Sequence, residues 1–184
     1  MAKIITDAPK RILDTARGIL ENQGIDALNM RMISQSCGIA LGTIYNYYPT
    51  KADILVALMA DYWDEFLLAV EKEVQEEKDI FTALHCIYEL QKHYISGFKN
   101  MWLVPALYDI PEGIQKGVKK EEGYLERLTQ QMEKLLLKAQ AAGEISLRKG
   151  ERDTAKYILL NFTALSRQST IPYEFLEQFL KDLL

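Results

Sequence analysis

The stretch GIALGTIYNYYPTK, residues 38–51, decides the fold of this chain. Gly38 is expected to end one short helix, and Pro49 to follow a second one that spans residues 41–47. The second helix carries polar and aromatic side chains close together. A helix, a glycine-containing turn and a short polar helix are typical of a helix-turn-helix, whose second helix enters the DNA major groove.

Helical patterns continue on both sides of this stretch. Apolar residues recur at helical spacing from Pro9 to Gln23, where Asp7 is the predicted N-cap and Gly24 the predicted end. Asn29 is the predicted cap of the next helix. The other predicted helices cover about residues 30–37, 51–77, 80–100, 111–143, 151–167 and 172–184.

The composition favours an all-α protein. Only 5 of the 184 residues are proline and 10 are glycine, so helix-breaking residues are scarce, while hydrophobic residues make up 48% and suffice for a core. No segment approaches the roughly 20 apolar residues of a membrane span, and the N-terminus lacks the pattern of a signal peptide. We therefore expect a cytoplasmic protein, in which Cys37 and Cys86 are buried free thiols.

The charge is distributed unevenly along the chain. Six basic and four acidic side chains give residues 1–51 a net charge of +2. Since the whole chain has a net charge of −4, residues 52–184 carry a net charge of −6. A mildly basic N-terminal part suits contact with phosphate. The pattern predicts a DNA-binding domain at residues 1–50 and a helical ligand-binding and dimerisation domain at residues 51–184, joined by the long helix that starts at Lys51.

The run Gly-Thr-Ile-Tyr-x-Tyr-Tyr-x-x-Lys, residues 42–51, resembles the tetracycline-repressor (TetR-like) family of bacterial transcription regulators. The resemblance covers residues 9–58, and the rest of the chain is similar in length and helical content. Ala40 departs from the serine of many members and removes a helix cap. Ser34 and Ser36 replace alanines, and Asn29 retains the capping function of the usual threonines.

The resemblance and the residue chemistry together predict the DNA contacts. Thr43, Tyr47 and Lys51 are expected to meet phosphates, and Gly42 to let the backbone approach the DNA. Asn46 is the expected base reader, because its amide can pair with adenine. Further expected contacts are Leu41 with a thymine methyl, Arg31 with guanine or phosphate, and Tyr45 with the groove or a phosphate. The alternative for Arg31 is a solvated surface charge, and Tyr48 is expected to pack in the core.

Aromatic residues are plentiful after residue 60 and suggest a pocket for an apolar or aromatic ligand. The alternative for each of these residues is that its side chain packs in a filled hydrophobic core and lines no pocket. His85 or Tyr88 is expected to supply the polar contact. The predicted pocket residues are Tyr62, Trp63, Phe66, His85, Tyr88, Phe98, Trp102 and Tyr108.

Apolar stripes on the last two predicted helices indicate a homodimer built as a four-helix bundle. Its twofold symmetry would place the two DNA-binding domains in successive major grooves of a palindromic operator, about 34–36 Å apart. The predicted dimerisation residues are Tyr157, Ile158, Asn161, Leu165, Phe175 and Phe179.

These patterns predict a ligand-responsive transcriptional regulator, a repressor that an apolar or aromatic small molecule releases from double-stranded DNA. No nucleophile motif, phosphate-binding loop or metal-ligand spacing occurs, so neither an enzyme nor a cofactor or metal is expected. The alternative is a helical protein-interaction scaffold without DNA binding, which leaves the Gly-Thr-Ile-Tyr run unexplained.

Overall fold

The computed structural model describes residues 7–76, 78–102, 111–167 and 171–184, with side chains described outside residues 97–121. These ranges contain eight α-helices and no strand. The helices are α1 Ala8–Gln23, α2 Met30–Cys37, α3 Leu41–Tyr47, α4 Lys51–Gln75, α5 Ile80–Trp102, α6 Pro111–Ala141, α7 Glu151–Arg167 and α8 Tyr173–Leu183. The all-α prediction is confirmed.

Local chemistry explains three of the helix ends. Asn29 accepts a hydrogen bond from Met32 N at 2.9 Å and caps α2, as predicted. Gly38 ends α2 in the left-handed conformation, with φ of 67°, which glycine adopts without steric strain. Asp79 accepts hydrogen bonds from the backbone and hydroxyl of Thr82 at the start of α5.

The predicted cap at Asp7 is wrong. Asp7 precedes α1, but its backbone has φ of 70° and its side chain makes no capping hydrogen bond. A cap residue normally has an extended backbone, which aims its side-chain oxygen at the first turn. The helix begins one residue earlier than predicted, at Ala8, with Pro9 in its first turn, where its missing N–H is not needed.

The chain divides into two compact units, one of which contains α1–α3 and α4 up to Asp61. Its core consists of apolar side chains at helical spacing on α1, α2 and α4, together with Ile39 and Ile44. Two basic side chains tie its segments together. The Arg11 guanidinium donates to the Cys37 carbonyl at 2.7 Å, and Lys51 Nζ donates to the Ile25 carbonyl at 2.7 Å.

The second unit contains Tyr62–Lys99 and Lys120–Leu184. Its core is one cluster of buried side chains from α4, α5, α6, α7 and α8, in which Val70, Leu84, Met132 and Phe162 have no exposed surface. The domain boundary predicted at residues 50 and 51 stays a prediction.

Candidate nucleic-acid interface and ligand cavity

The helix α3 is anchored by one buried side chain. Ile44 is fully buried, whereas Tyr45, Asn46 and Tyr47 are exposed, with exposed fractions of 46% for Tyr45 and 49% for Tyr47. Large aromatic side chains normally gain stability by burial, so two exposed tyrosines, at positions 45 and 47, are unusual on so short a helix. We call the surface of these three exposed residues the α3 face.

Tyr48 lies at the end of α3 and is only partly exposed, in line with the expected packing role. Burial raises the pKa of its hydroxyl, and the nearby Asp61 carboxylate raises it further. Both effects disfavour a negative charge on the phenolic oxygen of Tyr48. Tyr48 therefore remains a neutral structural residue across the physiological pH range.

The start of α3 lacks a side-chain cap, as the alanine at position 40 predicts. The backbone of Ala40 accepts hydrogen bonds from Thr43 N at 2.9 Å and Ile44 N at 3.2 Å. The serine that replaces alanine at position 34 donates its hydroxyl to the Ile39 carbonyl at 2.7 Å and so helps to hold the turn before α3. Ser36 is exposed, where water can satisfy its hydroxyl.

The fold does not require a glycine at position 42. The φ angle of Gly42 is not positive, and a Cβ atom built there would have no protein atom within 4 Å. Thr43 and Leu41 beside it are partly exposed, and Arg31 on α2 is exposed.

Lys51 is engaged within the chain. Burial lowers the pKa of its amine, the carboxylate of Asp26 partly offsets this effect, and the amine donates to the Ile25 carbonyl. The contacts predicted between these residues and DNA remain predictions.

The second unit contains a partly open cavity of about 460 Å³. Three of the predicted pocket residues, Tyr62, Trp63 and Phe66, line it from α4. The remaining lining residues come from α5, α6 and α7: Gln91, Tyr94, Ile95, Glu122, Leu125, Glu126, Leu128, Thr129, Lys156, Leu159, Leu160, Thr163 and Arg167. The volume is in the range of cavities that hold drug-sized ligands.

The predicted polar contacts of the pocket do not line this cavity. His85 stacks on Tyr173 with ring centres 4.4 Å apart, and Tyr88 is buried between Phe162 and Tyr173. Tyr88 belongs to the core that α8 covers, whereas His85 is exposed beside the first residue of α8. Phe98, Trp102 and Tyr108 lie outside the residues whose side chains are described.

Gln91 and Thr129 are buried polar residues of the cavity lining that the sequence prediction missed. Gln91 interrupts the apolar stripe of α5 and is 6% exposed. Its Nε2 donates to Thr163 Oγ1 at 2.7 Å, and Thr163 Oγ1 donates to the Leu159 carbonyl at 2.8 Å. A single amide at a core position of an otherwise apolar stripe is the signal that could have identified Gln91.

The predicted dimerisation residues differ in exposure. Tyr157, Phe175 and Phe179 are exposed by 54%, 51% and 56%, and the last two rings contact each other with centres 5.0 Å apart. Asn161 and Leu165 are partly exposed. Ile158 has no exposed surface, because it packs inside the core of its own chain, so its side chain cannot meet a second copy.

Comparison with known proteins finds a family similarity in the N-terminal segment. Residues 12–58 match the family described as bacterial regulatory proteins, tetR family. The fatty acid metabolism regulator protein of Bacillus subtilis is 27% identical over 99 residues, which cover 53% of this chain and 50% of that relative. The match thus spans about half the length of the curated relative.

Solved structures share the fold. A TetR/AcrR-family transcriptional regulator from Thermobifida fusca has a TM-score of 0.65 at 18% identity, with 96% of each chain covered. The regulator FadR from Bacillus subtilis, solved in complex with stearoyl-CoA, has a TM-score of 0.60 at 20% identity, with 95% of this chain and 96% of that chain covered. No helix in the described ranges is both long and apolar enough to cross a membrane.

Proposed function

We propose that this chain, which is TetR-like in its N-terminal sequence and in its fold, is a cytoplasmic DNA-binding transcriptional regulator that responds to a small ligand. The observation that carries the proposal is the α3 face. Its two exposed tyrosines and one exposed asparagine bring hydrogen-bonding groups to the surface of a helix that is held from behind by Ile44. Such a helix suits the major groove, where an amide reads bases and hydroxyls contact phosphates.

Two copies of the chain would bind one operator. Exposed aromatic side chains on α7 and α8 support a homodimer, and a twofold dimer calls for a palindromic DNA site. Tyr157, Phe175 and Phe179 carry this part of the proposal, with Asn161 and Leu165 beside them.

The cavity supports a ligand response. Helix α4 contributes Lys51 to the N-terminal unit. The same helix contributes Tyr62, Trp63 and Phe66 to the lining of the cavity. A ligand that favours one arrangement of this helix would shift the population of DNA-binding conformations by its differential affinity for them. We propose that ligand binding weakens operator binding, so that the protein acts as a repressor.

Selection from random double-stranded DNA tests the DNA-binding part. We expect the purified protein to enrich a palindromic sequence. Asn46→Ala should reduce discrimination between the selected site and variants at one position of each half-site, whereas Tyr47→Ala should weaken binding to all sequences and flatten the salt dependence by about one unit. Asn22→Ala, an exposed asparagine on α1, is the matched control for Asn46. Failure to enrich any sequence would contradict the proposal.

A further inference from the structure

The lining of the ligand cavity contains polar atoms that the protein leaves without hydrogen bonds. Gln91 Oε1 and Trp63 Nε1 are buried, and neither has a hydrogen-bond partner among the described residues. Both residues line the cavity. Buried polar atoms are nearly always paired, and an unpaired one is unfavourable, so these two atoms indicate what a ligand would supply.

The orientation of the Gln91 amide follows from its neighbour. The hydroxyl of Thr163 has a single proton, which it donates to the Leu159 carbonyl at 2.8 Å. Towards Gln91 it can therefore only accept, and it receives the Nε2 group at 2.7 Å. In this arrangement Oε1 is the amide atom that has no partner, and it requires a hydrogen-bond donor.

Trp63 presents the complementary need. Its indole nitrogen can only donate, so it requires an acceptor. The ring is held in place, because it stacks on Tyr124 with ring centres 5.5 Å apart and contacts Phe66 at 6.0 Å. Neither Gln91 nor Trp63 carries a charge.

The charged lining residues do not favour one sign of ligand charge. They comprise two acidic and two basic side chains, Glu122, Glu126, Lys156 and Arg167. Lys156 and Arg167 are exposed, so neither offers a buried cation to a carboxylate. Glu126 is paired with Arg152 at 2.6 Å.

We propose, on the basis of the ligand response proposed above, that the effector is an uncharged molecule with an apolar body and a hydroxyl group, an alcohol or a phenol. A hydroxyl both donates and accepts, so it can serve an unpaired acceptor and an unpaired donor. A carboxylate only accepts, and it would leave Gln91 Oε1 unpaired while losing its own hydration. The aromatic rings of Tyr62, Phe66 and Tyr94 suit the apolar body.

Three probes of similar shape test the proposal by isothermal titration calorimetry at pH 7 without DNA: 4-hexylphenol, 4-hexylanisole and 4-hexylbenzoate. The phenol donates and accepts, the ether only accepts, and the benzoate is an anion. We expect the phenol to bind about tenfold more tightly than the anisole, the difference that one hydrogen bond makes. Gln91→Leu should abolish this preference, and Gln140→Leu, an exposed glutamine near the end of α6, should retain it.

Other outcomes overturn the inference and separate it from the proposed function. Equal binding of phenol and anisole by the unaltered protein, or tightest binding of the benzoate, would refute the hydroxyl ligand and leave a ligand-binding regulator. Absence of binding by all three probes would also refute it, and the DNA selection would then decide independently whether the chain is a regulator. The comparison of probes on the unaltered protein stays decisive even if Gln91→Leu fails to fold, which circular dichroism would reveal.

Discussion

At the residue scale, α3 separates side chains that hold the helix from side chains that it presents. Ile44 is buried and Tyr48 is partly buried, while Tyr45, Asn46 and Tyr47 are exposed. An apolar residue in the middle of a seven-residue helix is enough to orient it, because residues three or four positions away share the buried side. The same division leaves Gly42 outside the packing of the protein, since a Cβ atom there would contact nothing.

Gly42→Ala tests whether DNA rather than the fold requires this glycine. Alanine is the better helix former by about 1 kcal/mol in a helix interior, so we expect equal or higher stability in urea denaturation. Binding to the selected DNA should nevertheless weaken, because in the proposed complex the added methyl group lies between α3 and the DNA backbone. Gly123→Ala, with equally open surroundings in α6, should leave DNA binding unchanged. Unaltered DNA affinity of the Gly42 variant would contradict the assignment.

Tyr173 links one buried hydroxyl to stability at high pH. Its hydroxyl has no partner among the described residues, and burial, followed by nearby negative charge, raises its pKa. Because the folded-state pKa is raised, ionisation of this hydroxyl is less favourable in the folded protein than in the unfolded chain. Its contribution to the free energy of unfolding is therefore fully present below about pH 10, where an unfolded tyrosine titrates, and is lost as the pH rises above that value.

Tyr173→Phe should therefore keep or raise stability at pH 7, by up to about 1 kcal/mol, because it removes an unpaired hydroxyl. It should also reduce the loss of stability between pH 7 and about pH 11. Urea denaturation across this range measures both effects. Tyr45→Phe, measured without DNA at an exposed position outside the proposed dimer surface, is the control. Marked destabilisation at pH 7 would show that the Tyr173 hydroxyl has a partner.

At the element scale, the two helices of the helix-turn-helix have opposite N-termini. Asn29 caps α2 with its side chain, whereas Ala40 offers α3 no side-chain acceptor. An uncapped helix leaves its first backbone N–H groups to water. The stability of α3 then depends on Ile44 and on the turn that Ser34 holds through the Ile39 carbonyl.

Ala40→Ser should stabilise the protein by about 0.5–1 kcal/mol, since the backbone at this position is non-helical, with ψ of 136°, and the serine hydroxyl can accept a hydrogen bond from the first turn. Asn29→Ala should destabilise it by a similar amount through loss of the hydrogen bond from Met32 N. Midpoints of urea denaturation measure both changes. Equal midpoints for the parent protein and both variants would mean that capping contributes little here.

At the scale of the whole molecule, the cavity and the aromatic surface of α7 and α8 belong to the same unit. The match to the tetR family covers residues 12–58 and confirms the resemblance stated from the sequence, while the structural neighbours confirm the all-helical fold. The exposed rings of Phe175 and Phe179 form contiguous apolar surface, which soluble proteins usually cover with a partner.

Replacing Phe175 and Phe179 together by glutamate tests the homodimer. We expect the parent protein to sediment with twice the mass of one chain, and the variant to sediment as a single chain, because four buried carboxylates would oppose association. Leu68→Glu, an exposed apolar position on α4, should remain dimeric. A single-chain mass for the parent protein would refute the dimer and the palindromic site with it.

The sequence alone determined the ends of α2 and α3 and the family resemblance of the N-terminal segment. The predicted bounds of α2, α3 and α7 agree with the structure, because glycine, asparagine and proline act on the backbone next to them. The most specific part of the family resemblance also lies in one continuous run, residues 42–51. Each of these properties depends on residues that are neighbours along the chain.

Only the tertiary structure decided which side chains meet in the cavity. Gln91 and Thr163 are 72 positions apart, and their side chains form a hydrogen bond beside the cavity. Aromatic content drew attention to His85 and Tyr88, but the packing of α8 places both against Tyr173 instead. Helical spacing predicts which residues share a face of one helix, and it contains no information about which face of another helix lies opposite.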